Sequence, residues 1–162
     1  MTIIIRPFAA TDRSDILRLN EESVSVLSPM DGQRFDLLEK QARLVWVAEK
    51  NRVIAGFIMG FDEHSSYDGT NYGWFKTRFT GFLYVDRIVI DREFRGLGIG
   101  QLIYSELDKW ASGSGIDCLV AEVDIEPPNQ PSLEFHRVHG FVEVGQNSTS
   151  PNKCVSMQRK SL

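Results

Sequence analysis

Residues 82–111, FLYVDRIVIDREFRGLGIGQLIYSELDKWA, decide the fold of this chain. Phe82 to Ile90 is rich in β-branched and aromatic residues and predicts a strand. After a glycine-rich loop, a helix is predicted to about Ala111, because apolar residues recur on one helical face: Ile99, Leu102, Ile103, Leu107, Trp110 and Ala111. Since Cys118 to Val123 is predicted to be another strand, the stretch forms a βαβ unit with parallel strands and a right-handed crossover.

The flanking sequence predicts further elements on both sides of this unit. Val45–Ala48 and Val53–Phe61, separated by a Lys-Asn-Arg turn, predict an antiparallel hairpin. The other predicted elements are strands at Ile3–Ile5, Phe141–Val144 and Cys154–Gln158, and helices from Thr11 or Ser14 to about Val26, from Phe35 to Arg43 and from Pro131 to Val138. The sequence therefore predicts one α/β domain over residues 1–162, with a mixed sheet and helices on both faces.

Composition excludes several classes of protein. A net charge of −4 and a pI near 5.4 argue against a protein that coats nucleic acid, which needs a dense basic face. No stretch approaches the roughly 20 apolar residues that span a bilayer. The N-terminal apolar run is too short for a signal peptide, so a cytoplasmic location is expected. Cys118, Cys154 and the histidines show no metal-ligand spacing, so no metal site is predicted.

The loop Arg95–Gly100 has the features of an anion site. Its alternating glycines allow close backbone approach and positive φ, and the first amides of the following helix lack intrahelical partners. Arg95 adds a positive charge suited to phosphate oxygens. A nucleoside triphosphate loop would need Lys and Ser or Thr next, but Gln101 and Leu102 follow. A dinucleotide fingerprint fits poorly, and the remaining alternative is a tight turn without a ligand.

Arg95, Gly98 and Gly100 match in order the signature of the GNAT superfamily of N-acetyltransferases, which this sequence resembles. Residues 88–90 resemble the family strand that runs along the pantetheine arm of coenzyme A. Residues 129–141, NQPSLEFHRVHGF, resemble the family's later motif. The resemblance implies a single-domain GNAT-like fold, with a mostly antiparallel sheet whose central parallel strand pair is splayed at the cofactor site.

The resemblance also implies acetyl-CoA as cofactor, with its pyrophosphate on the glycine loop. The cofactor-binding residues so implied are Ile88, Val89, Ile90, Arg95, Gly96, Leu97, Gly98, Ile99, Gly100, Gln101, Asn129, Ser132 and His136. Among the strand amides, the family pattern favours Val89 as the donor to the thioester oxygen. Asn129 and Ser132 could equally cap the helix that Pro131 opens.

Acetyl transfer to an amine needs a base for the ammonium proton and a means to stabilise the leaving thiolate. Tyr84 and Asp86 share one face of the first parallel strand, and Glu122 and Asp124 share one face of the second. Asp86 and Asp124 are the favoured bases, since they lie nearest the strand ends. Simple ion pairs, or a chain of waters in place of one base, remain open. His136 replaces the family's usual tyrosine and is the candidate acid.

The segment Asp62–Gly81 is the candidate lid over the acceptor. It is predicted to lack regular structure, and long loops of this kind are often functional. Together with Tyr84, its aromatic residues are the candidate acceptor-binding set: Tyr67, Tyr72, Trp74 and Phe75. A hairpin tip packed by its own rings is the alternative. The turn Ser28–Gly32 is a candidate for the opposite wall.

The leading hypothesis is an acetyl-CoA-dependent N-acetyltransferase that acts by direct transfer on a primary amine of a small molecule, peptide or protein. A catalytically silent acyl-CoA-binding sensor is the second hypothesis, because His136 stands where the family has tyrosine. A nucleotide-binding module is the third. No nucleic-acid or membrane partner is expected, and the resemblance makes a homodimer possible.

Overall fold

A computed structural model describes residues 2–162 of the chain. The described part contains seven strands and five α-helices. In chain order they are β1 (Ile3–Pro7), α1 (Arg13–Glu21), α2 (Gly32–Gln41), β2 (Leu44–Lys50), β3 (Val53–Asp62), α3 (Thr70–Lys76), β4 (Phe82–Ile90), α4 (Ile99–Ser112), β5 (Cys118–Glu126), α5 (Gln130–Val138), β6 (Val142–Ser150) and β7 (Lys153–Ser161).

The strands form one sheet in the order β1-β2-β3-β4-β5-β7-β6. Only the β4–β5 pair in this sheet is parallel, and each of the other neighbouring pairs is antiparallel. The predicted β2–β3 hairpin and the predicted parallel pair are both confirmed. The fold is therefore the α/β arrangement that the sequence predicts, with a mixed, mostly antiparallel sheet.

Two apolar cores lie on opposite faces of the sheet. On one face α1, α2 and α3 bury six side chains: Ile16, Leu19, Phe35, Leu38, Tyr72 and Phe75. On the other face α4 buries Ile99, Ile103 and Leu107 of its predicted apolar stripe, and Phe135 of α5 packs beside them. Leu102, which was also predicted to face the core, is only partly buried and lies outside this core. Burial of this apolar surface is the main favourable contribution to folding. It also holds the two helical layers against the sheet and so positions the strands between them.

The parallel strands separate after a short stretch of pairing. β4 and β5 are paired from Phe82–Cys118 to Tyr84–Val120, and no further pair joins them in the described sheet. Beyond that point the β3–β4 register passes from Gly60–Val85 to Met59–Arg87, so Asp86 is the extra residue of a β-bulge. The predicted splay is confirmed, and the bulge lies where it begins.

Two predicted helices differ in their limits from the observed ones. The first was expected to reach Val26, but α1 ends at Glu21 and i→i−3 turns follow, such as the bond from Val26 N to Ser23 O at 3.0 Å. Serine and β-branched residues disfavour helix continuation there. The second begins earlier than predicted, at Gly32, because the Asp31 carboxylate caps it by accepting from Arg34 N at 2.8 Å.

The segment between β3 and β4 corrects a prediction, because it contains α3 and is not irregular throughout. Tyr72 and Phe75 are three residues apart and both face the core, at 1% and 0% exposure. The short helix therefore forms through tertiary burial and not through strong local preference. β6 and β7 are also longer than predicted, because they pair with each other along most of their length.

Candidate functional site

A cleft of about 1320 Å³ opens where β4 and β5 diverge. One half, the glycine-loop half, is bounded by β4, by the loop before α4 and by α5. The other half, here called the acceptor half, is bounded by residues 22–28, by residues 67–71 and by the β6–β7 hairpin. The two halves meet at the diverging ends of β4 and β5, so a ligand in one can react with a ligand in the other.

The glycine loop is shaped by two different requirements. Gly96 and Gly98 have φ values of +80° and +77°, a conformation that other residues adopt only with strain. Gly100 instead lies against α5, since a Cβ there would be 3.1 Å from Phe135 Cζ. The bond from Leu102 N to Gly98 O, at 2.9 Å, opens α4. The amides that precede it are therefore available to an anion.

Most of the predicted cofactor residues line the glycine-loop half. From the loop these are Arg95, Gly96, Gly98, Ile99, Gly100 and Gln101. Arg95 is exposed, and its Nε donates to Ile90 O at 3.4 Å, which brings the guanidinium back toward the end of β4. Leu97 does not line the cleft, and its side chain is 49% exposed to solvent. Leu97 faces outward between Gly96 and Gly98, whose positive φ values turn the backbone on either side of it.

The backbone of β4 presents alternate amides to the cleft. Asp91 N donates to Ala55 O of β3 at 2.8 Å. Because amides two residues apart on a strand point the same way, the Val89 amide also faces β3. The amides of Ile88 and Ile90 therefore face the opening left by β5. This arrangement disagrees with the prediction that Val89 is the donor to the thioester oxygen, and it favours Ile88 and Ile90.

Asp86, one favoured base, is fully engaged in a buried network. Its Oδ1 accepts from Tyr67 Oη at 2.8 Å and its Oδ2 from Arg87 Nε at 2.7 Å. Arg87, 5% exposed, also donates from Nη1 to Asn20 Oδ1 at 2.8 Å and to Ser28 O at 3.2 Å. Both carboxylate oxygens of Asp86 therefore already have partners within the protein. The position of Asp86 is as predicted, but its environment argues against the role of base.

Glu122 is the carboxyl group with the properties of a base. The residue as a whole is half-buried, and its Oε2 accepts from Tyr84 Oη at 2.7 Å. Burial of the carboxyl and, second, the nearby Asp86 charge raise the pKa of Glu122 to about 7. Hydrogen bonds from Tyr84 and Asn71 partly oppose this rise. A carboxyl with a pKa near the working pH can take up and release a proton efficiently.

Asp124, the other favoured base, lies farther along β5 and is half-buried. Its Oδ1 is 3.6 Å from Lys153 Nζ of β7. Its main-chain oxygen accepts from Asn129 N at 2.9 Å, which fixes the turn into α5. Asp124 therefore lines the cleft as one member of an ion pair. The predicted placement on one strand face with Glu122 agrees with the structure.

His136 lies on α5 with 4% exposure, between Ser132 and Tyr104. Its Nδ1 is 2.7 Å from Ser132 O, and since a carbonyl only accepts, Nδ1 must carry the proton. Nε2 is then an acceptor for Tyr104 Oη at 3.0 Å. Burial is the main cause that lowers the pKa of His136. The predicted role as general acid disagrees with this arrangement, because the only N–H of the neutral ring is already bonded.

The predicted lid aromatics divide into two groups. Tyr67 and Tyr84 line the cleft, with ring centroids 6.3 Å apart. Tyr72 and Phe75 are buried in the core on α3, and Trp74 packs against β6 at Gly145, where a Cβ would come 2.5 Å from its ring. These three rings therefore anchor the segment and do not line the cleft, which disagrees with the prediction that they contact the acceptor. Because these rings hold α3 against the sheet, the neighbouring residues 67–71 are positioned over the cleft.

Two residues of the later motif have a structural role. Asn129 is the N-cap of α5, and its Oδ1 accepts from Ser132 N at 3.4 Å. Both residues also line the cleft, so capping and cofactor contact are compatible.

Sequence reasoning underrated Glu122 and missed Asn71 and Tyr104. Asn71 Oδ1 accepts from Asn147 Nδ2 of β6 at 3.1 Å, which orients the Asn71 amide group relative to Glu122. The strand alternation placed Glu122 beside Asp124, but its distinguishing partner, Tyr84, is 38 residues away in sequence. That partner could be identified only once the β4–β5 register was known.

A family model and several solved structures resemble this chain. The sequence model described as Acetyltransferase (GNAT) family matches residues 13–141. No curated protein is significantly similar to the chain in sequence. Among solved structures, Ard1 from Thermoplasma volcanium superposes with a TM-score of 0.80 at 16% identity, covering 100% of this chain and 99% of the other.

Two further structures resemble the chain at similar identity. The ribosomal-protein-alanine N-acetyltransferase from Brucella melitensis has a TM-score of 0.76 at 20% identity, covering 98% of this chain and 99% of the other. YncA from Salmonella typhimurium, solved with its cofactor acetyl-CoA, has a TM-score of 0.74 at 19% identity, covering 100% and 95%. At these identities the likeness concerns the fold.

Within residues 2–162, none of the helices has both the length and the apolar character needed to cross a bilayer. In the same part of the chain, no three His, Cys, Asp or Glu side chains are grouped so that they could hold a metal ion.

Proposed function

The chain belongs to the acetyltransferase (GNAT) family, and from this premise we propose that it is an acetyl-CoA-dependent N-acetyltransferase that acts by direct transfer on a primary amine. The observation that carries the proposal is that one cleft holds both an anion-binding glycine loop and a carboxyl, Glu122, whose pKa is raised to about 7. The loop suits the phosphates of the donor, and Glu122 suits the proton of the acceptor.

The residues present fit coenzyme A. The loop amides from Gly96 to Gln101 and the Arg95 guanidinium would hold the pyrophosphate. The unpaired main-chain groups of Ile88 and Ile90 would bond the amides of the pantetheine arm, as an added strand does. Asn129, Ser132 and His136 would line the opposite side of the arm. When bound there, acetyl-CoA supplies an acetyl thioester at the point where β4 and β5 diverge.

Glu122 would remove the proton that makes the acceptor unreactive. A primary amine is mostly an ammonium ion near neutral pH and has no free electron pair to attack with. The Tyr84 hydroxyl, 2.7 Å from Oε2, and the Asn71 amide hold the carboxylate in one orientation. The charge of Asp86, which is paired with Arg87, raises the pKa of Glu122 and so strengthens it as a base. An inward-facing β4 amide, from Ile88 or Ile90, would stabilise charge on the acetyl oxygen.

A first experiment tests the cofactor half. Purified protein is unfolded thermally with acetyl-CoA, coenzyme A, ATP or NAD at equal concentration. A ligand at 100 times its dissociation constant stabilises a fold by about 2.7 kcal/mol, which moves the midpoint by several degrees. We expect a shift with acetyl-CoA and coenzyme A only. A larger shift with ATP or NAD would contradict the proposal.

A second experiment tests catalysis by thiol release from acetyl-CoA against a panel of amines. We expect release with at least one amine, and loss of release in Glu122→Gln.

One observation favours a different function, a catalytically silent acyl-CoA-binding sensor. The residue in the family's tyrosine position, His136, has both ring nitrogens engaged within the protein. A sensor would show the thermal shift with acetyl-CoA and no thiol release with any amine, even in a His136→Tyr variant. Turnover by the unmodified protein would exclude it.

A further inference from the structure

Resting on the proposed transfer to an amine, we infer that the acceptor is a small primary amine whose amine-bearing carbon carries no carboxylate, so that free amino acids are rejected. The inference comes from the charges that surround the reacting position and from the partners that those charges already have.

Three carboxylates surround the point where the strands diverge. Asp86 of β4 and Glu122 of β5 each accept a tyrosine hydroxyl, and the rings of those two tyrosines are 6.3 Å apart. Asp124 follows Glu122 on the same face of β5 and also lines the cleft. An ammonium group is attracted to such a site, whereas a carboxylate attached to the same carbon would be repelled.

The cations on the acceptor half are already paired. Among the residues that the structure describes, the cationic side chains that line this half away from the glycine loop are Arg34, Arg87 and Lys153. Arg92 and Arg95 lie beside Glu22 and Ser23, at the boundary with the glycine-loop half. Arg87 is buried, and its Nε donates to Asp86. The other two form ion pairs, Arg34 Nη2 with Asp68 at 3.4 Å and Lys153 Nζ with Asp124 at 3.6 Å.

A substrate carboxylate would therefore have to displace a protein carboxylate from its cation. The anion-binding groups of the cleft lie instead in the other half, on the glycine loop. A neutral or cationic acceptor needs no such exchange, because the cations of this half stay in their ion pairs.

The remaining lining of the acceptor half suits a neutral carbon chain or ring. Besides Glu22, Asp68 and the Asn71 amide, it contains hydroxyl groups and apolar or aromatic side chains: Ser23, Ser25, Val26, Leu27, Tyr67 and Val155. Aromatic and aliphatic walls bind alkyl and aryl groups through buried apolar area. An arylalkylamine or an aliphatic diamine therefore matches both the charge and the surface of this half of the cleft.

The test uses matched pairs that differ by one carboxylate. Initial rates are measured at saturating acetyl-CoA for tyramine and tyrosine, tryptamine and tryptophan, and isopentylamine and leucine. We expect kcat/KM for the better amine to exceed that of its amino acid by at least about tenfold, from like-charge repulsion at short range. The methyl ester of the amino acid keeps the bulk and loses the charge, so it should recover most of the rate. An amino acid that reacts as fast as its amine would overturn the inference.

A pair of variants tests whether the cleft charges cause the selectivity. Asp124→Asn removes one carboxylate and releases Lys153, so the preference for amine over amino acid should fall severalfold. Asp36→Asn changes the net charge equally at an exposed ion pair with Arg13, outside the cleft lining, and should leave the preference unchanged. An unchanged preference in Asp124→Asn would count against the inference.

Calorimetric binding separates this inference from the proposed function. The six compounds are titrated into protein saturated with coenzyme A, which lacks the acetyl group and cannot react. Binding of an amine and not of its amino acid, without turnover in the kinetic assay, would support the acceptor class while contradicting catalysis. Turnover of the amino acids as fast as of the amines would support catalysis while contradicting the acceptor class. Failure of every amine to bind and to react would overturn the inference.

Discussion

The Tyr84 hydroxyl donates to Glu122 Oε2 at 2.7 Å, across the point where β4 and β5 cease to pair. Tyr84 is the last residue of β4 in the parallel ladder, and Glu122 lies two residues beyond its partner, Val120. The bond therefore spans the base of the cleft and fixes the position of one carboxyl oxygen of Glu122. The first three predictions concern this carboxyl group and its surroundings.

Glu122→Gln should lower kcat/KM by about 10²–10⁴-fold, the usual contribution of a positioned general base. The glutamine keeps the size of the side chain and can still accept from Tyr84, so acetyl-CoA should produce the same thermal shift. Steady-state thiol release measures the change. Glu126→Gln is the matched control, on the same strand but exposed and outside the cleft lining. Equal activity of both variants would exclude Glu122 as the base.

The pH profile of kcat/KM should have an acidic limb near pH 7, because Glu122 acts as base only when ionised and its pKa is raised to about 7. Asp86→Asn removes the charge that raises this pKa, so the limb should move to lower pH. Asn71→Ala removes a hydrogen bond that lowers it, so the limb should move to higher pH. The pH profiles of the unmodified protein, Asp86→Asn and Asn71→Ala, measured with the same amine, check the direction of each shift of the acidic limb. Shifts of the same sign in both variants would contradict the arrangement.

Glu122→Gln should also stabilise the protein in alkaline solution. The pKa of Glu122 is higher in the folded state than its ordinary value, so the folded state binds the proton more tightly. Stability is then lost as the pH rises from the ordinary pKa through about 7. Removing the group should add about 2–3 kcal/mol at most to the free energy of unfolding at pH 8, and little at pH 4.5. Urea unfolding at both pH values measures the difference, and an equal gain at both would contradict it.

Gly98→Ala and Gly100→Ala should both destabilise the fold, for separate reasons. Gly98 has φ +77° with no atom within 4 Å of a Cβ, so alanine there adds strain of about 1–2 kcal/mol. Gly100 instead needs space, because its Cβ would be 3.1 Å from Phe135. Phe135→Leu should therefore offset Gly100→Ala in a double-mutant cycle and have no coupling with Gly98→Ala. Urea unfolding of the single and double variants measures both couplings.

Tyr104→Phe should cost about 1–3 kcal/mol of stability, because it leaves His136 Nε2 buried without a donor. Replacing both residues by phenylalanine removes the unsatisfied group together with its partner. The double variant should therefore be more stable than Tyr104→Phe alone. Chemical denaturation gives the three free energies, and a double variant less stable than the single one would show that the bond is not the cause.

Local patterns carried much of the fold. The apolar stripe of α4, the β-branched run of β4 and the spacing of the β2–β3 hairpin are each contained in neighbouring residues, and all three predictions are confirmed. α3 was missed because only seven residues form it and its stability comes from burying Tyr72 and Phe75. Its short length makes local periodicity a weak indicator.

The sequence by itself determined the glycine loop, because three glycines beside an arginine require a particular backbone conformation at one place in the chain. It also brought the carboxylates to the right strands through the alternation of side chains. Only the tertiary structure decided among them. Asp86 is paired with Arg87 and Asp124 with Lys153, whereas Glu122 is hydrogen-bonded to the neutral Tyr84 and Asn71 side chains. A pKa depends on burial and on charges brought close by folding, which no local pattern of residues contains.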